Sequence, residues 1–267
     1  MERILRLEKI SKNIRKDIVE MIYKAKSGHP GGSLSCTDIL VCLYHDIMNL
    51  DVDKNNQRID KFILSKGHAS AAYYAILASK GFIPHEDLIT FRRYDSYLEG
   101  HPSNKIPGVD TSSGSLGQGL SIANGMALSK KTFNEEGKVY CLVGDGELEE
   151  GQIWEALMSA NKYNLNNLVL IVDNNGLQID GSVETVKSLQ NLEEKISSFG
   201  FAVQSIDGHD YSQILDALEN INKSKVPNCI IAKTIKGKGV SFMENKVEWH
   251  GKSLTDDEYE IAMKELN

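Results

Sequence analysis

Two short glycine-bearing segments carry residue types that can hold a charged ligand. One apolar run, Lys138 to Val143, ends in Gly144-Asp145-Gly146; another, Leu168 to Val172, ends in Asp173-Asn174-Asn175-Gly176. Glycine lets a backbone approach a ligand closely, Asp145 offers a carboxylate and Asn175 an amide oxygen. A few hard oxygen ligands of this kind suit magnesium held jointly with substrate phosphates. Each segment alone is also ordinary turn chemistry. Two of them at matching ends of adjacent strands point to a site. A dinucleotide site fits less well, because its fingerprint needs GxGxxG directly after a strand. Gly144 to Glu149 and Gly117 to Ile122 both lack the third glycine. Asp145 would also repel a bare pyrophosphate, so a metal-bridged diphosphate is preferred to NAD.

Alternating strands and helices must position these loops. Ile4, Leu7, Ile10, Ile14, Ile18, Met21 and Ile22 recur at helical spacing and predict a helix ending near Gly28. Further helices are expected over 33–49, 69–80, 120–131, 149–163 and 211–222. Strands are expected at 62–65, 138–143, 168–172, 201–206 and 228–234. Strands apolar on both faces, alternating with helices, predict a parallel sheet covered on both sides. The fold class is therefore α/β, a doubly wound, mostly parallel sheet, with residues 1–267 read as a single domain. Its ligands are expected beyond the carboxyl ends of the strands. Residues 92–119, rich in glycine and holding Pro102 and Pro107, form a long irregular stretch, and such stretches are usually functional.

Composition excludes several classes. The 267 residues carry 37 acidic and 30 basic side chains, net −7, which argues against a nucleic-acid surface. With 41% apolar and 25% charged residues the chain reads as an ordinary globular protein. No apolar run approaches the length of a membrane span, and the charged N-terminus is unlike a signal peptide. Cys36, Cys42, Cys141 and Cys229 form no CxxC pair and read as thiols in a reducing cytoplasm. Trp154 is expected in the core, and the N-terminal lysines and arginines on a solvated face. His45, His85 and His209 read as structural or solvated.

The remaining segments are more specific. An asparagine 30 positions beyond the aspartate of Gly144-Asp145-Gly146 resembles the thiamine diphosphate motif. Ser27-Gly28-His29-Pro30-Gly31, Ser65-Lys66-Gly67-His68-Ala69, Gly100-His101-Pro102 and Ser113-Gly114-Ser115-Leu116-Gly117-Gln118-Gly119 resemble, in order, the signatures of the transketolase family. The resemblance runs from about residue 14 to about residue 254 and matches that family's N-terminal, diphosphate-binding domain. It implies that Asp145, Asn175 and the carbonyl of Leu177 bind Mg2+ (Ca2+ or Mn2+ being possible substitutes). It implies that Gly146 and His68 meet the diphosphate of thiamine diphosphate. Gly114, Ser115 and Leu116 resemble the stretch on the aminopyrimidine side, with Ser115 standing where many relatives have proline. His29, His101 and His250 resemble histidines of the substrate channel, His250 also touching the cofactor. Glu150 and Glu155 match carboxylates at the subunit interface, and Glu150 is counted with the cofactor-binding set.

The implied reaction moves a two-carbon ketol unit from a ketose phosphate to an aldose phosphate, with the cofactor as electron sink and the protein moving protons. Histidines suit that work because they titrate near neutrality. Ordinary transketolases are more than twice as long and continue into a pyrimidine-binding and a C-terminal domain. The resemblance therefore implies a split enzyme: a partner C-terminal subunit carrying the pyrimidine-binding domain, in an α2β2 assembly. Pentose phosphates are the default sugars, and a modified ketose is an alternative. Other readings are a subunit like 1-deoxyxylulose 5-phosphate synthase, the α subunit of a 2-oxo acid dehydrogenase, and a non-catalytic cofactor-binding protein. The reading as a dehydrogenase α chain fits poorly, because such a chain should not carry the SGHPGG segment.

Overall fold

A computed structural model describes residues 1–53 and 57–267. Five strands form one parallel sheet in the order β1-β2-β3-β7-β6: β1 (Lys61–Leu64), β2 (Val139–Gly144), β3 (Leu168–Asn174), β6 (Ala202–Asp207) and β7 (Asn228–Lys233). A two-residue hairpin, β4 (Leu177–Gln178) with β5 (Gly181–Ser182), follows β3.

The strands are apolar throughout because both faces are covered. Phe62, Leu64, Tyr140, Leu142, Val169, Ile171, Ile230 and Ala232 point into one core. It is roofed by α1 (Glu2–Ala25), α2 (Pro30–Ser35), α3 (Thr37–Cys42) and α4 (Ser70–Ser79), with α9 (Tyr211–Asn220) and α10 (Asp256–Glu265). The alternate residues Ile63, Val139, Cys141, Val143, Leu168, Leu170, Val172, Cys229 and Ile231 point into a second core. It lies under α5 (Gln118–Phe133), α6 (Gly151–Lys162), α7 (Val183–Lys187) and α8 (Leu192–Ser198). The strand period of two thus divides each strand between two cores. The predicted doubly wound sheet is the observed one.

Several boundaries differ from expectation. The helix predicted over 33–49 starts at Pro30, breaks at Cys36 and ends in a π-helical turn, Leu43–Ile47. Proline suits a first helical turn, where its missing N–H is not needed. The break follows from Ser35, Cys36 and Thr37, whose side chains bond back to the carbonyls of Gly32 and Ser33 and compete with the helix. Helices α7, α8 and α10 and the β4–β5 hairpin lie outside the elements expected from sequence.

The N-terminal basic residues need a correction. Arg3 and Arg6 pair with Asp46 at the surface, but Arg15 is buried and grips Asp38 with two bonds of 2.9 and 2.7 Å. Trp154 is half-buried, packed against Phe199 at the edge of the second core. All four cysteines are buried free thiols. His45, His85 and His209 bond to Ser79, Asp17 and Asp38, consistent with the structural reading. Among the described residues no helix is long and apolar enough to cross a membrane.

Candidate active site

The carboxyl ends of β1, β2, β3 and β7 open on one edge of the sheet. Asp145 follows β2 and caps a 3₁₀ turn, Gly146–Glu149. Its Oδ1 accepts from Gly146 N at 2.8 Å and its Oδ2 from Gly176 N at 2.5 Å. Burial and the nearby Asp173 raise its carboxyl to about 6, against the pull of those two N–H groups. Asn175 Oδ1 accepts only from Leu177 N, at 3.2 Å, among the described residues. The Leu177 carbonyl accepts from Lys236 Nζ at 3.1 Å. One carboxylate, one amide oxygen and one main-chain carbonyl thus face a common space. No cluster of three His, Cys, Asp or Glu side chains suited to a metal is found among the described residues.

A buried charge network underlies these loops. Asp173 Oδ2 accepts from Lys66 Nζ and from Ser35 Oγ at 2.6 Å, and its Oδ1 accepts from Thr234 Oγ1. Burial works to raise Asp173, but Lys66 with the two hydroxyls outweighs it and holds the carboxyl below its usual range. Glu147 accepts from Ser65 Oγ, from Gly117 N at 2.9 Å and from Gly144 N at 3.0 Å, tying three loops together. Lys236 also lies 3.1 Å from His250 Nδ1. Burial first, then the charge of Lys66, lowers its ammonium to about 8.

Three histidines meet above this floor. His29 precedes Pro30 at the start of α2, His68 sits in the 3₁₀ turn between β1 and α4, and His250 ends the turn Val247–His250. Their ring centroids are 5.3 Å (His29–His68), 5.6 Å (His29–His250) and 5.1 Å (His68–His250) apart. Burial and neighbouring cations lower His29 to about 4 and His250 to about 3, and push His68 well down. The three are therefore neutral near pH 7. His29 Nδ1 is buried without a hydrogen-bond partner among the described residues.

A cavity of about 330 Å³ joins these features. It is lined by His29, His68 and His250, by Gly114 and Leu116, by Asp145, Gly146, Asn175 and Leu177, and by Glu150 at its edge. Of the residues expected from sequence, three are not among its lining. His101 stands beside Gly114, where a β-carbon would lie 3.1 Å from its Cγ. Ser115 is exposed, as is Glu155. Sequence reading missed Lys66, Lys236 and Asp173 in this role. Lys66 stands between Ser65 and Gly67 in a recognisable motif, and Asp173 heads the turn that holds Asn175, but only the fold makes them a buried pair.

Comparison with known proteins places this architecture among the thiamine diphosphate binding domains of transketolases. Residues 7–267 match the family described as transketolase, thiamine diphosphate binding domain, and the chain belongs to it. It is 43% identical to one of the subunits of apulose-4-phosphate transketolase from Phocaeicola vulgatus, over 98% of this chain and 94% of that one. It is 42% identical to a 6-deoxy-6-sulfo-D-fructose transketolase subunit from a Clostridium species, over 95% and 93%. Human transketolase is 36% identical over 99% of this chain but only 42% of its own length. Among solved structures, transketolase from Campylobacter jejuni superimposes with a TM-score of 0.90 at 37% identity, covering 97% of this chain and 42% of that one.

Proposed function

We propose that the chain is the diphosphate-binding subunit of a two-chain transketolase, moving a two-carbon ketol unit between sugar phosphates with thiamine diphosphate and Mg2+. The carrying observation is the convergence on one cavity of Asp145, Asn175 and Leu177 with His29, His68 and His250. The donor set fits the metal. Asp145 is a buried carboxylate raised to about 6, so a divalent cation beside it would favour its ionised form. With Asn175 Oδ1 and the Leu177 carbonyl it supplies only hard oxygens, as Mg2+ shared with a diphosphate requires.

Thiamine diphosphate, when bound, supplies the electron sink for breaking and forming a carbon–carbon bond next to a carbonyl. The chain's residues do the rest. His68, Lys66 and Lys236 offer donors and positive charge to the diphosphate, and Gly146, with no β-carbon, lets it approach the backbone. Gly114, Ser115 and Leu116 border its aminopyrimidine side, with Glu150 beyond them. His29, His101 and His250, largely neutral at pH 7, donate hydrogen bonds to sugar oxygens and pass protons among them. Residues 1–267 act as one such domain in this reading.

Relatives that are themselves named as transketolase subunits support the existence of a partner chain. In this proposal that partner carries the pyrimidine-binding domain, and the two chains form a cytoplasmic α2β2 enzyme. Their names also favour a second reading of the substrate: a modified ketose in place of the pentose phosphates. The test is cofactor titration with and without Mg2+ for the wild type and Asp145→Ala, followed by ketol-transfer assays of this chain alone and with its partner. Metal-dependent affinity lost in Asp145→Ala, and activity only in the two-chain mixture, are expected. Unchanged affinity overturns the metal bridge, and full activity of the lone chain overturns the division of labour.

A further inference from the structure

Arg92 lies outside the cavity lining, yet it touches both loops that bring histidines to the channel. Its backbone is left-handed, φ 58°, an uncommon state for a residue with a β-carbon. Arg92 N donates to Leu98 O at 2.8 Å, which closes the intervening loop. Arg92 Nη1 donates to Ser27 Oγ at 2.7 Å, two residues before His29. The guanidinium lies against Gly100, the residue before His101. A β-carbon on Gly100 would be 2.7 Å from Arg92 Cζ and 2.8 Å from Nε. The three nearest atoms to that position all belong to Arg92. Gly100 has no positive φ, so its backbone does not call for glycine. A β-carbon there would instead displace the guanidinium of Arg92.

The Gly100–His101 loop is pinned on its other side by α4. Ser70 Oγ donates to Gly100 O at 2.8 Å, and Tyr74 OH to His101 O at 3.0 Å. Helix α4 and Arg92 therefore hold this loop from two directions, and Arg92 alone of the two reaches Ser27. We infer that Arg92 is a positioning residue that clamps the loop of His29 to the loop of His101 and so sets the spacing of these two imidazoles. The clamp rests on the proposed transketolase-type reading for its use, but not for its existence.

Charge adds a second effect. Burial first disfavours protonation of the two rings, and the permanent cation beside them adds to it, with His101 and Lys236 adding further for His29. Arg92 Nε is left without a hydrogen-bond partner among the described residues. A charge kept in place at that cost points to a role beyond packing.

The experiment uses Arg92→Gln, Arg92→Lys, Gly100→Ala and the double variant Arg92→Gln/Gly100→Ala. Histidine NMR titration of this chain reads His29 and His101 directly, without needing turnover. Kinetics of the two-chain enzyme read the effect of spacing. Arg92→Gln is expected to raise both histidine titration midpoints and to lower kcat by about 10- to 100-fold, as for a misplaced catalytic group. Affinity for thiamine diphosphate should stay within about twofold, because Arg92 does not line the cavity. Arg92→Lys should restore the midpoints but not kcat, since an ammonium cannot lie flat on Gly100 and also reach Ser27. Gly100→Ala, which displaces the guanidinium but keeps its charge, should lower kcat as Arg92→Gln does while leaving the midpoints closer to wild type, and the double variant should lose no more kcat than the worse single one. Additive losses, or an Arg92→Gln variant with unmoved midpoints and unchanged kcat, would overturn the clamp. If wild type showed no transketolase activity while the midpoints still moved as expected, the functional reading would fail and the clamp would stand.

Discussion

Lys66 and Asp173 form an ion pair that spans a strand: Lys66 follows β1, Asp173 lies in β3, and β2 runs between them. Their side chains are 1% and 0% exposed, so water screens neither charge. Lys66 Nζ also donates to Gly32 O at 2.8 Å, tying α2 to the pair. The contact lies below the Asp145 loop and fixes the three strand ends relative to one another.

Removing one partner should therefore cost more than the pair itself contributes. Lys66→Met leaves Asp173 buried with only hydroxyl and amide partners, a penalty of about 3–5 kcal/mol. Urea unfolding should show this loss, and cofactor affinity should fall with it. Lys66→Met/Asp173→Leu should recover much of the stability and none of the affinity. A Lys66→Met protein as stable as wild type would contradict the charge argument.

Gly146 is held to glycine by a close neighbour. A β-carbon there would lie 2.8 Å from Gln178 Oε1 and 3.0 Å from Gln178 Cβ. Gln178 in turn donates to Glu149 Oε1 at 2.9 Å, closing the β4–β5 hairpin over the cavity. Gly146→Ala should cost about 1–3 kcal/mol through overpacking and weaken thiamine diphosphate about tenfold or more, as a loss of about 1.4 kcal/mol implies. Adding Gln178→Gly should relieve the strain and restore the melting temperature. Thermal unfolding and calorimetric titration of the single and double variants check the two steps.

Much of this was legible in the sequence where the signal is local. The buried strands read correctly because they are apolar on both faces, and the loops at Asp145 and Asn175 follow directly from them. The start of α2 at Pro30 was readable from proline's preference for a first turn. Helix α10 was readable from Thr255 and Glu258, which form a full capping box. The unread features are those made by distance. Lys66 and Asp173 are 107 residues apart, and Arg15 lies 23 from Asp38 on a helix otherwise lined with solvated charges. Sequence alone gives a lysine or arginine no sign that its partner is buried with it. Ser115 shows the converse: motif position singled it out, while in this chain the residues beside it, Gly114 and Leu116, line the cavity and Ser115 does not.

Arg15 and Asp38 anchor a second network, whose members do not themselves line the cavity. Asp38 also accepts from His209 Nδ1 at 2.8 Å and from Tyr211 OH at 2.6 Å, and His209 Nε2 accepts from Ile235 N at 2.9 Å. The chain is thereby held from α1 to the residue before Lys236. Asp38→Asn should cost about 3–5 kcal/mol by stranding Arg15. Burial opposes ionisation of Asp38, but Arg15, His209 and Tyr211 together hold its carboxyl far below the usual range. A depressed folded pKa means the stabilisation is present above the unfolded value of about 3.9 and lost as pH falls below it. Near pH 3 that loss has only begun, so the deficit of Asp38→Asn relative to wild type should be smaller than at pH 7 without vanishing, as unfolding curves at the two pH values would reveal.

The histidines set an earlier acid limit. His29 and His45 are lowered to about 4 and His250 to about 3, mainly by burial, from an ordinary value of 6.5. Between pH 6.5 and 4 the unfolded chain binds protons that the folded chain refuses, so stability must fall as pH drops through that window. Asp145 acts in the opposite sense. Its folded value of about 6 lies above the unfolded one, so the folded chain takes that proton first and gains stability on acidification. Glu147 and Asp17, also raised mainly by burial, act with Asp145, but the three imidazoles, joined by His68 and His101 shifted in the same direction, outnumber these carboxyls. The melting temperature should decline steadily from pH 6.5 to 4.5 in metal-free buffer. His29→Gln/His250→Gln should flatten that decline, because two of the refused protons are then absent from both states. A parallel, undiminished decline in the double variant would assign the acid sensitivity to other groups.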